Sequence, residues 1–142
     1  MKVFSAHTTI AAPPATIWAI LTDAPRYPEW DPDVERIEGA IAAGATLTAY
    51  SKLSPGRAFP VKVTQFEPHR RMVWSGGMPL GLFKGERSFN LKSQPDNSVE
   101  FSLREEFSGL LLPLFGRGLP DLDAAFARFA AALKLRAEAR TA

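Results

Sequence analysis

Two charged residues, Arg87 and Glu105, interrupt apolar strand patterns and are the strongest candidates for a functional site. Alternation predicts that Arg87 shares a strand face with Phe89, and that Glu105 shares one with Phe101 and Leu103. Because those faces are too apolar to lie in water, both charges should point inward, where each needs a partner. We therefore expect the two side chains to meet across neighbouring strands.

Two interpretations of this pair remain open from the sequence. In the first, Arg87 and Glu105 form a structural ion pair, or a bulge turns one of them outward. In the second, they form the polar end of an otherwise apolar pocket and orient a carboxylate, phenol or carbonyl of a ligand. The second interpretation also admits catalysis, with Glu105 as general acid or base and Arg87 stabilising an oxyanion.

Large apolar side chains from other segments are expected to complete the wall of this pocket. Alternation turns Met72 and Trp74 inward from a neighbouring strand, and Phe126 and Phe129 lie midway along a predicted helix. Tyr27 and Trp30 are large anchors in a polar loop. Either both pin the loop to the domain, or one of them lines the mouth of the pocket. The complete set of ligand-binding candidates is Arg87, Glu105, Phe89, Phe101, Leu103, Trp74, Met72, Phe126, Phe129 and Trp30.

A long amphipathic helix is predicted near the end of the chain, from residue 119 to about residue 140. Its apolar residues recur at alternating intervals of three and four, which places them on one stripe: Leu119, Leu122, Phe126, Phe129 and Leu133. Such a stripe needs a partner surface, and the strands upstream must supply it. Gly116 and Gly118, just before the helix, are candidates for a hinge.

Seven strand-like segments precede this helix, separated by turns rich in glycine and proline. A short helix follows the first segment, because Pro13 and Pro14 suit its start and Pro25 prevents its continuation. Tight turns between consecutive strands favour antiparallel pairing. The predicted fold is α+β, a seven-stranded curved antiparallel sheet around the C-terminal helix, as one domain over residues 1–142. The predicted strands are 2–11, 34–38, 46–53, 59–66, 71–75, 82–91 and 99–107.

The segment between the short helix and the second strand is rich in proline and in acidic residues. Its prolines are expected to hold residues 27–33 in an extended conformation. Tyr50, on a polar face of the third strand, is expected to be exposed. Six acids are expected to face water over residues 23–38: Asp23, Glu29, Asp31, Asp33, Glu35 and Glu38.

Composition limits what the protein can do. The 142 residues carry 17 basic and 15 acidic side chains, and a net charge of +2 does not indicate binding to nucleic acid or to a membrane surface. The chain has no cysteine and only 2 histidines, far apart in sequence, so neither a metal nor another cofactor is expected. No segment has the length of a membrane span or the pattern of a leader, which predicts a cytoplasmic protein.

The order of elements and three local sequences resemble the START-like, or SRPBCC, superfamily, and most of all its polyketide cyclase/dehydrase branch. The matching sequences are residues 10–23, residues 27–32, and residues 105–109 followed by the long helix. The resemblance covers nearly the whole chain and implies a helix-grip fold with a hydrophobic cavity between sheet and helix. Because this fold hosts lipid carriers, hormone receptors and cyclases, the resemblance implies no single function.

Three hypotheses follow. The first is binding of a hydrophobic or aromatic small molecule, lipid-like or polyketide-like, in the cavity. The second is an enzyme of the cyclase/dehydrase or isomerase type that uses Glu105 and Arg87. The third is an interaction protein with a vestigial cavity, whose docking surface is the acidic segment 23–38. Under each hypothesis a monomer or a homodimer is expected.

Overall fold

Long strands joined by short turns make up most of the chain in a computed structural model, which describes residues 1–115 and 121–141. The strands are β1 (Lys2–Ile10), β2 (Val34–Gly39), β3 (Thr46–Ser51), β4 (Ala58–Glu67), β5 (Arg71–Gly77), β6 (Lys84–Ser93) and β7 (Val99–Ser108). The α-helices are α1 (Pro14–Leu21), the short α2 (Leu112–Phe115) and α3 (Leu122–Thr141). Two 3-10 helices cover Ala24–Glu29 and Pro79–Gly81.

All seven strands belong to one sheet, in the order β1-β7-β6-β5-β4-β3-β2. Every neighbouring pair is antiparallel. Helix α3 lies on the concave face and packs mainly against β1, with further contacts to β7 and α1. The predicted α+β helix-grip fold is therefore confirmed, including the short helix after the first strand.

The predicted apolar stripe of the long helix forms the centre of the core. Leu122, Phe126, Phe129 and Leu133 are all buried against the sheet. Leu119 and the proposed hinge glycines at 116 and 118 lie outside the described residues. Alanines on the same helix, such as Ala130 at 2% exposure, let the helix approach the sheet closely.

Side chains of α3 also close the free edge of β1. The Asp123 carboxylate accepts the backbone N–H of Ser5 at 2.9 Å, and Lys134 Nζ donates to the Thr9 carbonyl at 2.6 Å. An uncovered edge strand invites pairing with another chain, because its N–H and C=O groups lack partners. Here the helix satisfies part of that edge.

Residues 27–29 differ from the extended conformation that the prolines predicted for residues 27–33. They form a 3-10 helix, in which Trp30 N–H donates to the Tyr27 carbonyl at 3.1 Å. The extended conformation was wrong because the fixed φ of proline also fits a 3-10 helix. The buried Tyr27 fixes the segment, since its hydroxyl donates to the Leu21 carbonyl at 2.6 Å.

Replacing Leu133 with alanine should lower the free energy of unfolding by about 2–5 kcal/mol. The leucine is 0% exposed, so its loss leaves a void beneath α3. Leu135 on the same helix is 72% exposed, and Leu135→Ala should change stability by less than about 0.5 kcal/mol. Chemical denaturation measures both variants, and equal losses would contradict the orientation of the helix.

Candidate ligand-binding site

A cavity of about 310 Å³ lies between the concave face of the sheet and the N-terminal half of α3. Residues of β2 to β7 line most of it, and the segment around Tyr27 and Asp31 closes one side. The wall is mainly apolar and contains several aromatic rings. The volume lies near the lower end of the roughly 300–1,000 Å³ typical of small-molecule pockets.

A row of side chains across three strands forms the polar part of the wall. Trp74 on β5 lies opposite Arg87 on β6, which lies opposite Glu105 on β7. Arg87 Nε donates to Glu105 Oε1 at 2.6 Å, and Glu105 is only 8% exposed. The two charges therefore meet across neighbouring strands, as their alternation predicted.

Two glycines lie in the adjoining row, beside this pair. Gly76 on β5 lies opposite Gly85 on β6. A Cβ atom at Gly85 would lie 3.1 Å from Phe107 Cε1 and 3.4 Å from Glu105 Oε2. Glycine in a strand interior often marks such a close approach. The missing side chain keeps the cavity open next to the Glu105 carboxylate.

Two contacts hold the Arg87 guanidinium: the Nε edge bonds to Glu105, and one planar face lies against the Phe126 ring. Besides the Nε bond, its Cζ atom lies 4.9 Å from the centroid of the Phe126 ring, a favourable cation–π contact. Within the described residues, the two terminal nitrogens of Arg87 have no hydrogen-bond partner. The side chain is 31% exposed, so these N–H groups remain available to a ligand.

Asp31 is another ionisable group on the cavity wall, outside the Arg87–Glu105 pair. Its Oδ1 atom accepts the backbone N–H of Asp33 at 3.1 Å. Burial raises the pKa of Asp31 to about 6, although the Asp33 hydrogen bond and the Arg87 charge both oppose the rise. Burial also raises the pKa of Tyr27 well above its usual value, and the Asp31 charge adds to this effect.

The acidic segment is largely occupied by contacts within the fold. Asp31 and Asp33 line the cavity, so the expectation that all six acids face water was wrong for these two. Asp33 Oδ2 accepts Arg128 Nε at 3.0 Å, which ties the segment to α3. Glu29 accepts a hydrogen bond from Arg136 at 2.7 Å, and this bond lowers the pKa of Glu29.

Six of the ten predicted ligand-binding residues line the cavity: Arg87, Glu105, Trp74, Phe89, Phe126 and Phe129. The other four, Met72, Phe101, Leu103 and Trp30, lie in the packed core and do not line it. Their assignment as ligand contacts is corrected for a geometric reason. Met72, Phe101 and Leu103 face inward from their strands, and Trp30 follows the 3-10 helix. All four are enclosed by other residues of the core cluster, so they do not reach the cavity.

Two of these core residues support the wall from behind. The ring centroid of Phe129 lies 4.9 Å from that of Trp30 and 6.2 Å from that of Phe101. Edge-to-face and offset arrangements at such distances are favourable. Phe129 therefore has a fixed orientation at the cavity surface.

The wall also contains residues that were not in the predicted ligand-binding set, among them Tyr27, Asp31 and Tyr50. Tyr50 was expected to be exposed but is half-buried, with the Arg36 guanidinium 3.8 Å from its ring centroid. A register shift between Val34 and Arg36 changes the alternation next to it. For Tyr27 and Asp31, the available signal was the Tyr-Pro-Glu-Trp-Asp sequence that carried the family resemblance.

Other kinds of site find no support in the described part of the chain. Within residues 1–115 and 121–141, no three His, Asp or Glu side chains come together as ligands for a metal ion. No helix among these residues is long and apolar enough to cross a membrane.

Sequence comparison identifies the family. The family described as polyketide cyclase/dehydrase and lipid transport matches residues 1–138. The chain belongs to this family. No curated protein matches the sequence significantly.

Solved structures of low sequence identity share the fold. The ZhuI aromatase/cyclase from Streptomyces sp. R1128 superposes with a TM-score of 0.76 at 16% identity, covering 99% of this chain and 96% of that one. A START superfamily protein from Mycobacterium smegmatis gives 0.71 at 17% identity, with coverages of 97% and 98%. The Aha1 dimer from Colwellia psychrerythraea gives 0.73 at 22% identity, with 97% of each chain covered. Identities this low establish similarity of fold alone.

Arg87→Ala should lower the free energy of unfolding by roughly 2 kcal/mol, because it leaves the buried Glu105 carboxylate without its partner. Arg104 is the matched control, since it is exposed on the same strand as Glu105 and pairs with Glu106 at side-chain exposures of 48% and 32%. Arg104→Ala should cost less than about 1 kcal/mol. Urea denaturation measures both, and equal stabilities would contradict a structural role for the buried pair.

Asp31 should give the stability a defined pH dependence. Its folded pKa of about 6 exceeds the ordinary 3.8, so the folded protein holds this proton more tightly than the unfolded chain. The contribution of Asp31 to the free energy of unfolding is therefore fully present below about pH 4 and is lost as the pH rises through about 6. Relative to the wild type, Asp31→Asn should gain up to about 3 kcal/mol between these limits.

Urea denaturation at a series of pH values measures this gain. Asp23→Asn is the control, because the Asp23 side chain is 37% exposed and lies in the same acidic segment. Stability profiles of Asp31→Asn and the wild type that stay parallel across this range would contradict the assignment.

Proposed function

We propose that this protein binds a compact hydrophobic or aromatic small molecule in the cavity between the sheet and α3. The ligand's polar group faces the Arg87–Glu105 pair. The observation that carries the proposal is a mainly apolar cavity whose arginine is fixed by one bond and retains unpaired N–H groups. An apolar wall with a few convergent polar groups is the usual composition of a small-molecule site.

The shape and composition of the wall favour a ring system over an extended chain. Tyr27, Trp74, Phe126 and Phe129 all present aromatic surface to the cavity. Aromatic pairs gain energy beyond simple burial, so planar ligands benefit most from such a wall. The family description, which includes cyclases and lipid transport, supports a hydrophobic ligand, and the preference for a ring system rests on the aromatic wall.

A catalytic role of the cyclase/dehydrase or isomerase type is the alternative, and Asp31 favours it. Glu105 is a poor general base because Arg87 already occupies its Oε1 atom at 2.6 Å. Asp31 lines the same cavity with a pKa of about 6, which suits proton transfer near neutral pH. In this alternative Asp31 moves the proton and Arg87 stabilises the oxyanion.

The interaction-protein hypothesis receives less support. A vestigial cavity is expected to be filled by side chains, whereas this cavity retains a volume of about 310 Å³. The acids proposed as its docking surface are also engaged, with Asp33 bound to Arg128 and Glu29 bound to Arg136.

A cavity-filling variant tests the binding proposal. Ala49 is half-buried and lines the cavity, so Ala49→Phe should fill part of it and weaken binding of a neutral aromatic probe by at least about tenfold. Thr46, on the same strand, is exposed and does not line the cavity, and Thr46→Phe should bind like the wild type. Fluorescence titration with 1-aminoanthracene measures the affinities.

Saturable binding by the wild type, weakened in Ala49→Phe alone, supports the proposal. Absence of binding by the folded wild type, or equal affinity in both variants, would overturn it. Turnover of a small β-diketone that is lost in Asp31→Asn, while probe binding persists, would favour the catalytic alternative.

A further inference from the structure

We infer that the polar end of the cavity selects a neutral aromatic ligand with a hydroxyl group, such as a phenol, over a carboxylate of the same size. The inference rests on the proposed function and concerns the space between Arg87 and Asp31. It follows from the donors and acceptors that the fold leaves unpaired there and from the local balance of charge.

Arg87 supplies the donors. Its Nε atom is bound to Glu105, and its guanidinium is held against the Phe126 ring, so its position is fixed before a ligand enters. Its two terminal nitrogens have no partner in the described part of the chain, yet the side chain lines the cavity. A ligand oxygen can therefore accept from Arg87 without breaking the pair.

Asp31 supplies the acceptor. Its Oδ1 atom accepts from the Asp33 backbone, whereas Oδ2 has no hydrogen-bond partner among the described residues. Arg87 is close enough to lower the pKa of Asp31, but their charged atoms do not come within the 4.0 Å of an ion pair. A gap thus separates a set of unpaired donors from an unpaired acceptor on the same cavity wall.

A hydroxyl group is the chemical group that can satisfy both sides at once. It accepts a hydrogen bond from Arg87 through its oxygen and donates its proton to the Asp31 carboxylate. A carboxylate only accepts, so it leaves Asp31 without a donor. An unsubstituted hydrocarbon satisfies neither group and leaves both partly desolvated.

The balance of charge points the same way. Arg87 already lies beside two carboxylates, those of Glu105 and Asp31, while the third on the wall, Asp33, is bound to Arg128. A second arginine, Arg57, lines the cavity but lies against the Phe59 ring, with its Cζ atom 5.9 Å from the ring centroid. A carboxylate ligand bound at Arg87 would therefore add a further negative charge beside a guanidinium that already faces Glu105 and Asp31, in a partly desolvated space. A neutral hydroxyl introduces no such repulsion.

Three probes of nearly equal size test the inference: 2-naphthol, 2-naphthoate and naphthalene. A phenol is neutral near pH 7, whereas an aromatic carboxylate is ionised. Competition against 1-aminoanthracene should show 2-naphthol binding at least about tenfold more tightly than 2-naphthoate, the size expected from one charge-assisted hydrogen bond. Naphthalene should bind more weakly than 2-naphthol.

Asp31→Asn removes the charge with little change in shape. It should lower the affinity for 2-naphthol, raise the affinity for 2-naphthoate and leave the affinity for naphthalene nearly unchanged. The ratio of the 2-naphthol affinity to the 2-naphthoate affinity should therefore fall by about tenfold. Asp23→Asn alters a half-exposed acid of the same segment that does not line the cavity, and it should leave all three affinities unchanged. Thermal unfolding checks that both variants are folded.

The outcomes separate this inference from the proposed function. If 2-naphthoate binds as tightly as 2-naphthol, or if Asp31→Asn leaves their ratio unchanged, the selectivity is overturned while the cavity still stands as a binding site. If none of the three probes, naphthalene included, binds the wild type, the proposed function fails and this inference fails with it.

Discussion

A single helix cannot cover a seven-stranded sheet, and the rest of the structure depends on this mismatch. Seven strands about 4.8 Å apart span roughly 29 Å, whereas a helix with its side chains is about 10–12 Å wide. Helix α3 lies over β1 and β7 at one side, and the 3-10 helix that carries Tyr27 packs against β2 at the other. The sheet between them is left partly uncovered, and the cavity occupies that space.

The position of an inward-facing residue along its strand determines whether it packs in the core or lines the cavity. The row Trp74–Arg87–Glu105 lies between a packed row that contains Leu103 and an open row that contains Gly85. On the packed side the helix excludes solvent, and on the open side the glycine leaves room. The ion pair at this boundary is shielded enough to be fixed and open enough to meet a ligand.

Strand alternation and helical periodicity predicted the order of elements and the amphipathic helix, because both report which face of an element is buried. The family resemblance implied the helix-grip arrangement. The periodic patterns could not predict how far along the sheet the helix extends. Leu103 and Phe101 share a face with Glu105, but only Glu105 reaches the cavity. Asp31 was missed for a different reason. Its place on the wall depends on a 3-10 helix that folds back over β2, a tertiary event with no periodic signal.

The closure of the β1 edge bears on how the chain reaches this structure during synthesis. β1 pairs with β7, and the amide of Ser5 is bound by Asp123, 118 positions later. β1 is thus synthesised before every other strand of this sheet but is one of the last to gain its partners. Folds with such distant contacts form slowly, and an unpaired strand is prone to aggregation meanwhile. Once β7 and α3 have been synthesised, they bind the two edges of β1 and protect this strand from pairing with other chains.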